Sequence, residues 1–303
     1  MRSTRVEAQR LTAEEYDGAS SSWDRYFVPA TARARQHMIR LAHLKAGERV
    51  LDIGTGTGSS AILAARRVGK RGRVLGIDLS RRMLNRARQN AAQRGLANVA
   101  FRHMDSTSLR LPNESMDAII TSFGAPEGPY DARILLREWS RVLAPQGRLC
   151  FCEGGDGKVG DVIHRVIEKY KVAHPDRKLA ARRRLKSLIA REKKRAPLLY
   201  WSNLPRLRRQ MQRSGFKNVR KTTKAVRWTF PSSKALLTLL LSTDFSHEYD
   251  AMTPAAQRAF KDEVLRSLKP FESSRGLSAG DRVFFLQADK IGAEAGTRRM
   301  WSC

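Results

Sequence analysis

The segment Val50–Ile62, VLDIGTGTGSSAI, constrains this chain more than any other stretch. Val50, Leu51 and Ile53 read as a buried parallel strand. Gly54, Gly56 and Gly58 carry no Cβ, so they make a strand-to-helix turn whose backbone a ligand can approach closely. Ser59 or Ser60 is placed to cap the helix that follows. A dinucleotide fingerprint needs G-x-G-x-x-G. Here the spacing is G-x-G-x-G, and Ser59 stands where the third glycine belongs. Asp52, two residues ahead of the first glycine, disfavours a pyrophosphate and suits a ligand bearing an ammonium or a sulfonium. The competing reading is a turn that binds nothing.

The next acids decide between them. The pattern predicts a second strand over Arg73–Asp78, and Asp78 falls 24 residues after Gly54. An acid at that strand tip can accept hydrogen bonds from both ribose hydroxyls. Its alternative role, capping the helix of DLSRRMLNRARQNAAQRG, can fall to Ser80 instead. A third strand, Val99–Asp105, brings Asp105 to the same edge, where a carboxylate can accept from an adenine amine and the Ser106 backbone can add a contact. A fourth, Met116–Gly124, ends in Ser122–Gly124. A helix over Tyr130–Leu143, with Ile134, Leu135, Trp139 and Leu143 inward, leads through Pro145–Gly147 into a fifth strand ending at Glu153. Three acids in this order point to S-adenosyl-L-methionine.

These motifs carry a resemblance. VLDIGTGTG, GIDLSRRML, the HMD of the third strand, LPNESMDAIITSFG and LREWSRVLAPQGRL resemble the class I S-adenosylmethionine-dependent methyltransferases, in particular the ubiquinone/menaquinone biosynthesis group. The likeness covers Arg49–Glu153, with a weaker one at Ser214–Val219 and in the last strand, DRVFFLQADK. It implies an α/β, Rossmann-like fold: a seven-stranded, mostly parallel sheet with an antiparallel last strand, and helical insertions over the cleft. It also implies a cofactor site of Asp52, Gly54, Thr55, Gly56 and Gly58 at the methionine end, Asp78 on the ribose, Leu79 and Met83 by the adenosine, Asp105 and Ser106 on the adenine, and Ser122 after the fourth strand. The Asn/Asp-Pro-Pro-aromatic motif of nucleic-acid amino-methyltransferases is replaced by Ser122-Phe123-Gly124-Ala125. No Pro-Cys nucleophile stands there, and the thiol-rich pattern of arsenite methyltransferases is absent.

Composition bounds the partners. No run of 18 apolar residues exists, and Ala235–Leu241 is the longest apolar patch, so no transmembrane helix is expected. The first 25 residues lack a signal-type apolar region, and Glu7, Glu14 and Glu15 argue against a transit peptide, so a cytoplasmic setting is expected. Cys150 and Cys152 share one face of a strand, a geometry poor for a disulfide, and no metal-ligand spacing occurs. The formal charge is +29, and Asp156–Arg227 holds 23 Lys/Arg against five Asp/Glu. Such a segment suits a polyanion. In Arg177–Arg195 the apolar stripe of Ala181, Leu185, Leu188 and Ile189, followed by Tyr200 and Trp201, leaves three readings open: a packing lid, an anionic membrane surface, or RNA.

The organisation expected is an N-terminal helical cap (1–47), a cofactor-binding core (48–156), a basic helical insertion (157–202), a core continuation (203–230), a second helical insertion (231–279), a last core strand (280–291) and a loose basic tail (292–303). Within the cap, a helix over Ala30–Leu44 and the aromatics Tyr16, Trp23 and Tyr26 are placed to meet the ligand. Thr253 with Pro254 opens a further helix. The acceptor is expected to be a small or lipid-like molecule; the alternative is RNA or protein docked on 157–227. Acid/base candidates are Glu153, His164, His247 and Tyr249. Each also suits a polar surface or packing role.

Overall fold

The computed structural model describes residues 2–124, 132–173, 175–176, 179–180, 182–184, 187, 204–243 and 245–292. Helix α1 (Arg2–Ser22) runs into a π-helical turn, Trp23–Phe27, then α2 (Val28–Ala30) and α3 (Ala32–Leu41). The core follows as β1 (Arg49–Ile53), α4 (Ser59–Val68), β2 (Arg73–Asp78), α5 (Arg81–Ala92), β3 (Val99–His103), β4 (Met116–Ser122), α6 (Ala132–Val142) and β5 (Leu143–Gly157). Beyond it come α7 (Lys158–Lys169), α8 (Leu204–Arg213), β6 (Phe216–Phe230), α9 (Ser233–Leu240), α10 (Ser246–Asp250), α11 (Pro254–Leu268), the two-residue β7 (Glu272–Ser273) and β8 (Gly276–Lys290).

The strands form one sheet in the order β3-β2-β1-β4-β5-β8-β6, with β7 paired only to β8. Neighbours from β3 to β5 are parallel. Strand β8 runs antiparallel between β5 and β6. This is the α/β architecture expected, with a short extra strand. Both faces of β1 are buried because helices cover the sheet on either side. On one face Val50, Ala118, Ile120, Cys150, Cys152, Val283 and Phe285 pack under α3, α4 and α5. On the other, Leu51, Ile53, Ile119, Leu149, Phe151 and Leu286 pack under α6 and α8. A third cluster roofs one end: Ile163 and Ile167 of α7, Leu236 and Leu237 of α9, and Phe260 and Val264 of α11, with Trp23 and Phe27 against it.

Local chemistry explains several boundaries. The Ser80 hydroxyl accepts from the Met83 N–H (3.0 Å) and caps α5, leaving Asp78 for other work. Thr253 caps α11 through the Ala256 N–H, with Pro254 in its first turn. The cap of α4 differs from expectation. Gly58, at φ +85°, is the N-cap and offers no side chain, while Ser60 turns its hydroxyl to that of Ser122 (2.6 Å). The helix expected over Ala30–Leu44 breaks at Thr31, whose hydroxyl accepts from Arg35 and donates to the Phe27 carbonyl. Ile134 is 44% exposed and not inward. The buried stripe of α6 is Leu135, Leu136, Trp139 and Val142, at i, i+1, i+4 and i+7, and Ile134 lies off it. Burial pushes the Cys150 thiol up to about 12 and raises Cys152 as well, so neither is a reactive thiolate.

The part of the basic insertion that is described packs onto the body of the protein. Leu179 is buried, Arg182 is buried against Glu14 of α1 (2.8 Å), and Arg183 pairs with Glu248 of α10 (2.5 Å). Ala181, Leu185, Leu188, Ile189, Tyr200, Trp201 and the tail beyond Gly292 lie outside the described residues. No described helix is long and apolar enough to cross a membrane.

Candidate active site

The carboxyl ends of the parallel strands open into a cavity of about 410 Å³. That size falls within the range of small-molecule sites. Sheet order arranges its lining. Asp78 ends β2, Gly54 follows β1, Ser122 ends β4, Glu153 lies on β5, Asp281 on β8 and Trp228 on β6, and all six line the cavity. Neighbouring strands stand ~4.8 Å apart, so Asp78 and Ser122 are separated by roughly 10 Å across the sheet, and Trp228 lies about 14 Å further on. α1 and the π-helical turn cover the groove with Thr12, Tyr16, Trp23 and Phe27.

The floor is bare backbone. Gly54 (φ +63°) meets Gly124 so closely that a Cβ on either would stand 2.7 Å from the other's carbonyl oxygen. Phe123, beside Gly124, holds a left-handed backbone (φ +53°) although it is not glycine. Such strain persists only where the surroundings impose it. Here the Phe123 N–H donates to the Cys152 carbonyl, and its ring meets Phe27 and Trp228 edge-on, both at 5.6 Å. The π turn, closed by the Val28 N–H on the Trp23 carbonyl, brings Trp23 and Phe27 into a stack at 3.9 Å.

Asp78 accepts backbone N–H groups from Gly56 (2.8 Å) and Ser80 (2.9 Å), one on each oxygen. A carboxylate has more acceptor capacity than these contacts use, which leaves it able to take a ligand hydroxyl. Burial raises its pKa, and the N–H groups of Ser80, Gly56 and Leu79 oppose that shift. Leu79, Met83, Met104 and Ser106 continue the lining beyond it. The Ser106 carbonyl is fixed by the Trp139 indole N–H at 3.3 Å.

Three expected cofactor residues do not line the cavity. Asp52 is buried under the turn, where it accepts the Thr55 hydroxyl (2.7 Å). Gly58 packs toward Ala87 and Phe101. The Asp105 carboxylate is taken by Gln9 of α1 (2.7 Å) and by Thr107, so it latches the covering helix rather than facing an adenine. Of the acid/base candidates, Glu153 lines the cavity; His164, His247 and Tyr249 are not among its described lining. His164 and Tyr249 pack instead against Phe245 and Phe260. Tyr16 and Trp23 reach the ligand space, and Tyr26 does not.

Arg35 is among the lining residues the sequence did not reveal. It is 3% exposed and lines the cavity from α3. Its terminal nitrogens bond the Val28 carbonyl (3.1 Å) and the Thr31 hydroxyl (2.6 Å). Its Nε is buried with no partner. Burial lowers its pKa, partly opposed by Cys152 and Asp52. A buried guanidinium without a carboxylate bonded to it is costly unless something anionic completes it.

Residues 44–195 match a family model described as a methyltransferase domain. The chain belongs to that family. Over 143 residues it is 33% identical to the aklanonic acid methyltransferase DauC of Streptomyces sp., a match covering 47% of this chain and 64% of that protein. Over 116 residues it is 38% identical to the ubiquinone/menaquinone biosynthesis C-methyltransferase UbiE of Methylococcus capsulatus, covering 38% and 46%. The chain thus spans less than two thirds of either relative. Among solved structures, the [4+2]-cyclase SpnF shares the fold at TM-score 0.55 and 19% identity, over 94% of this chain and 97% of that one. That cyclase is a reminder that fold alone does not name a reaction.

Proposed function

We propose that this chain is an S-adenosylmethionine-dependent methyltransferase acting on a small-molecule or lipid-like acceptor. The observation that carries the reading is a set of groups converging on one cavity: a ribose-type carboxylate at Asp78, a Cβ-free cradle at Gly54 and Gly124, and, from α3, an uncompleted buried guanidinium at Arg35. The residues fit the cofactor part by part. Asp78 would hold the ribose, Leu79, Met83, Met104 and Ser106 the adenine, and Arg35 the amino-acid carboxylate. Asp52 and Thr55 would support the turn from beneath.

When bound, the cofactor supplies a methyl group on a positively charged sulfur, ready for in-line displacement. The chain's own task is then to align the acceptor and exclude water. Phe27, Phe123 and Trp228 wall the space beyond Ser122, and Glu153 is one of the cavity carboxylates that could take a proton from an acceptor there.

Two substitutions test the cofactor assignments. Asp78→Ala is expected to weaken S-adenosylmethionine by about 1.5–3 kcal/mol, the scale of a hydrogen bond to a charged group. An unchanged Kd in calorimetry removes Asp78 from the site. Arg35→Met is expected to raise that Kd at least tenfold while leaving the ligand-free protein no less stable, since it removes an uncompleted buried charge. Equal loss of stability and affinity would make Arg35 a scaffold residue only.

The activity itself is tested by methyl-tritiated cofactor offered with a cell extract fractionated into small molecules, lipid, RNA and protein. Label in the small-molecule or lipid fraction is expected. A second reading, RNA or protein docked on the basic 157–227 segment, draws on the exposed Lys217, Arg220, Lys224 and Arg227 of edge strand β6. Label in RNA alone, with affinity falling steeply in salt, would favour it.

A further inference from the structure

A second cavity, of about 190 Å³, lies between α3 and the edge strand β6. Arg33, His37 and Arg40 line it from α3 at i, i+4 and i+7, one stripe of the helix. Lys224 and Arg227 of β6 supply the other wall, and Phe285 of β8 is the buried apolar part of the lining. His37 meets that ring edge-on at 4.7 Å, which fixes the imidazole in the groove. Arg35 belongs to the larger cavity, so the two spaces share α3 but no lining residue.

The charge of this groove is not balanced from within. No acid lines it among the described residues. The chain carries no Asp or Glu from 25 to 47, around α3, and none from 193 to 243, around β6. Elsewhere exposed cations find carboxylates: Arg49 pairs with Asp117, Arg86 with Asp24 and Lys169 with Glu263. Asp281, opposite Val226 on β8, is held instead by the Trp228 indole N–H and the Arg282 N–H. Arg227 reaches the Ser278 hydroxyl at 3.5 Å, a neutral partner. Like charges gathered in this way repel. Burial lowers the His37 pKa, and Lys224 and Arg40 push it the same way.

An anion completes this arrangement, and the donors select its kind. Three guanidinium forks and one ammonium stand on two facing elements, which suits an anion with oxygens in several directions and more than one charge. A phosphate dianion meets both conditions, whereas a carboxylate offers two oxygens and one charge. A membrane surface fits less well. The large apolar side chains exposed among the described residues are Val6, Ile134 and Ile291, and none lines the groove. A single-stranded nucleic acid also fits less well, because the lining holds no Tyr or Trp and Phe285 is 1% exposed. We propose that the α3–β6 groove binds a phosphate dianion, free or as the terminal phosphate of a small molecule, held by Arg33, Arg40, Lys224 and Arg227 with His37 beside it. The site is separate from the cofactor cavity and stands whatever that cavity binds.

The test uses the full chain at ~0.15 M salt, where exposed charges more than ~8 Å apart are largely screened. Inorganic phosphate and phenyl phosphate are titrated in turn, followed by calorimetry and by the ring C–H signals of His37, identified with a His37→Gln variant. Saturable binding of at least one probe is expected, with a progressive shift of the His37 signals, and the tighter probe tells whether the groove takes the free ion or a monoester. Arg33→Gln combined with Lys224→Gln is expected to weaken that binding at least tenfold without lowering the urea midpoint. Should the pair fail to fold, Lys224→Gln alone is expected to weaken it at least threefold. Arg258→Gln combined with Lys269→Gln removes two exposed cations at α11 and its end, and this control for net charge should change the affinity less than twofold. No saturation by either probe, unmoved His37 signals, or equal weakening in the two double variants overturns the proposal and leaves only diffuse charge. Groove-dependent binding of phosphatidylglycerol vesicles or of oligouridylate, when neither phosphate probe saturates, overturns it as well.

Discussion

Gly54→Ala is expected to abolish measurable cofactor binding and to destabilise the fold by roughly 2–5 kcal/mol, the sum of a left-handed backbone forced on alanine and an overpacked contact. The new Cβ would stand 2.7 Å from the Gly124 carbonyl oxygen and 2.9 Å from its Cα. Backbone cannot move aside as a flexible side chain can, so the end of β4 must shift, carrying Phe123 and Ser122 out of place. Gly95→Ala is the matched control. Gly95 has the same left-handed φ (+64°), but a Cβ there meets nothing within 4 Å. It should cost only the backbone part, about 1–2 kcal/mol, and leave cofactor affinity untouched. Urea melts and calorimetry on both variants separate strain from collision. If the two behave alike, the close approach of the β1 and β4 turns has no part in the site.

That approach joins segments some 70 residues apart in sequence, and this separation marks what could be read from the chain. Features set by neighbours in sequence were readable: the glycine turn, Asp78 at its strand tip, the Ser80 cap that frees it, and the Thr253–Pro254 helix start. The antiparallel last strand followed from the resemblance. Features set by distant partners were not. Arg35 sits in a helix where Ala34 and Met38 carry the apolar pattern, and in a chain with 58 Lys/Arg one more arginine is no signal. Trp228 and Asp281 reach the cavity only because β8 inserts between β5 and β6. Strand β3 stops at His103, two residues short of Asp105, and Gln9, 96 residues earlier, takes the Asp105 carboxylate. Ile134 faces solvent because the buried stripe of α6 begins one residue later, at Leu135, and a helix turns its face by about 100° per residue.

Asp52 shows the same limit in its electrostatics, and it gives the other large effect. The sequence makes it a carboxylate facing a cationic ligand, whereas the fold buries it beneath the turn. Burial drives its pKa up to about 7 from an ordinary 3.8, against the downward pull of the Thr55 hydroxyl, the Ala61 N–H and Arg35. A group raised in this way binds its proton more tightly folded than unfolded. Its contribution to stability is therefore full below about pH 4, and is lost as pH rises through about 7. Over that whole window the loss is about 4 kcal/mol, and about 2–3 kcal/mol of it falls between pH 5 and 8. Asp52→Asn removes the titration and keeps an oxygen for the Thr55 hydroxyl. Urea melts at pH 5 and 8 should show wild type losing about 2–3 kcal/mol relative to the variant over that interval. Parallel pH dependences would mean that Asp52 stays ionised in the folded chain. The buried Arg35 would then have an anionic counterpart nearby, and its need for the cofactor's carboxylate would fall accordingly.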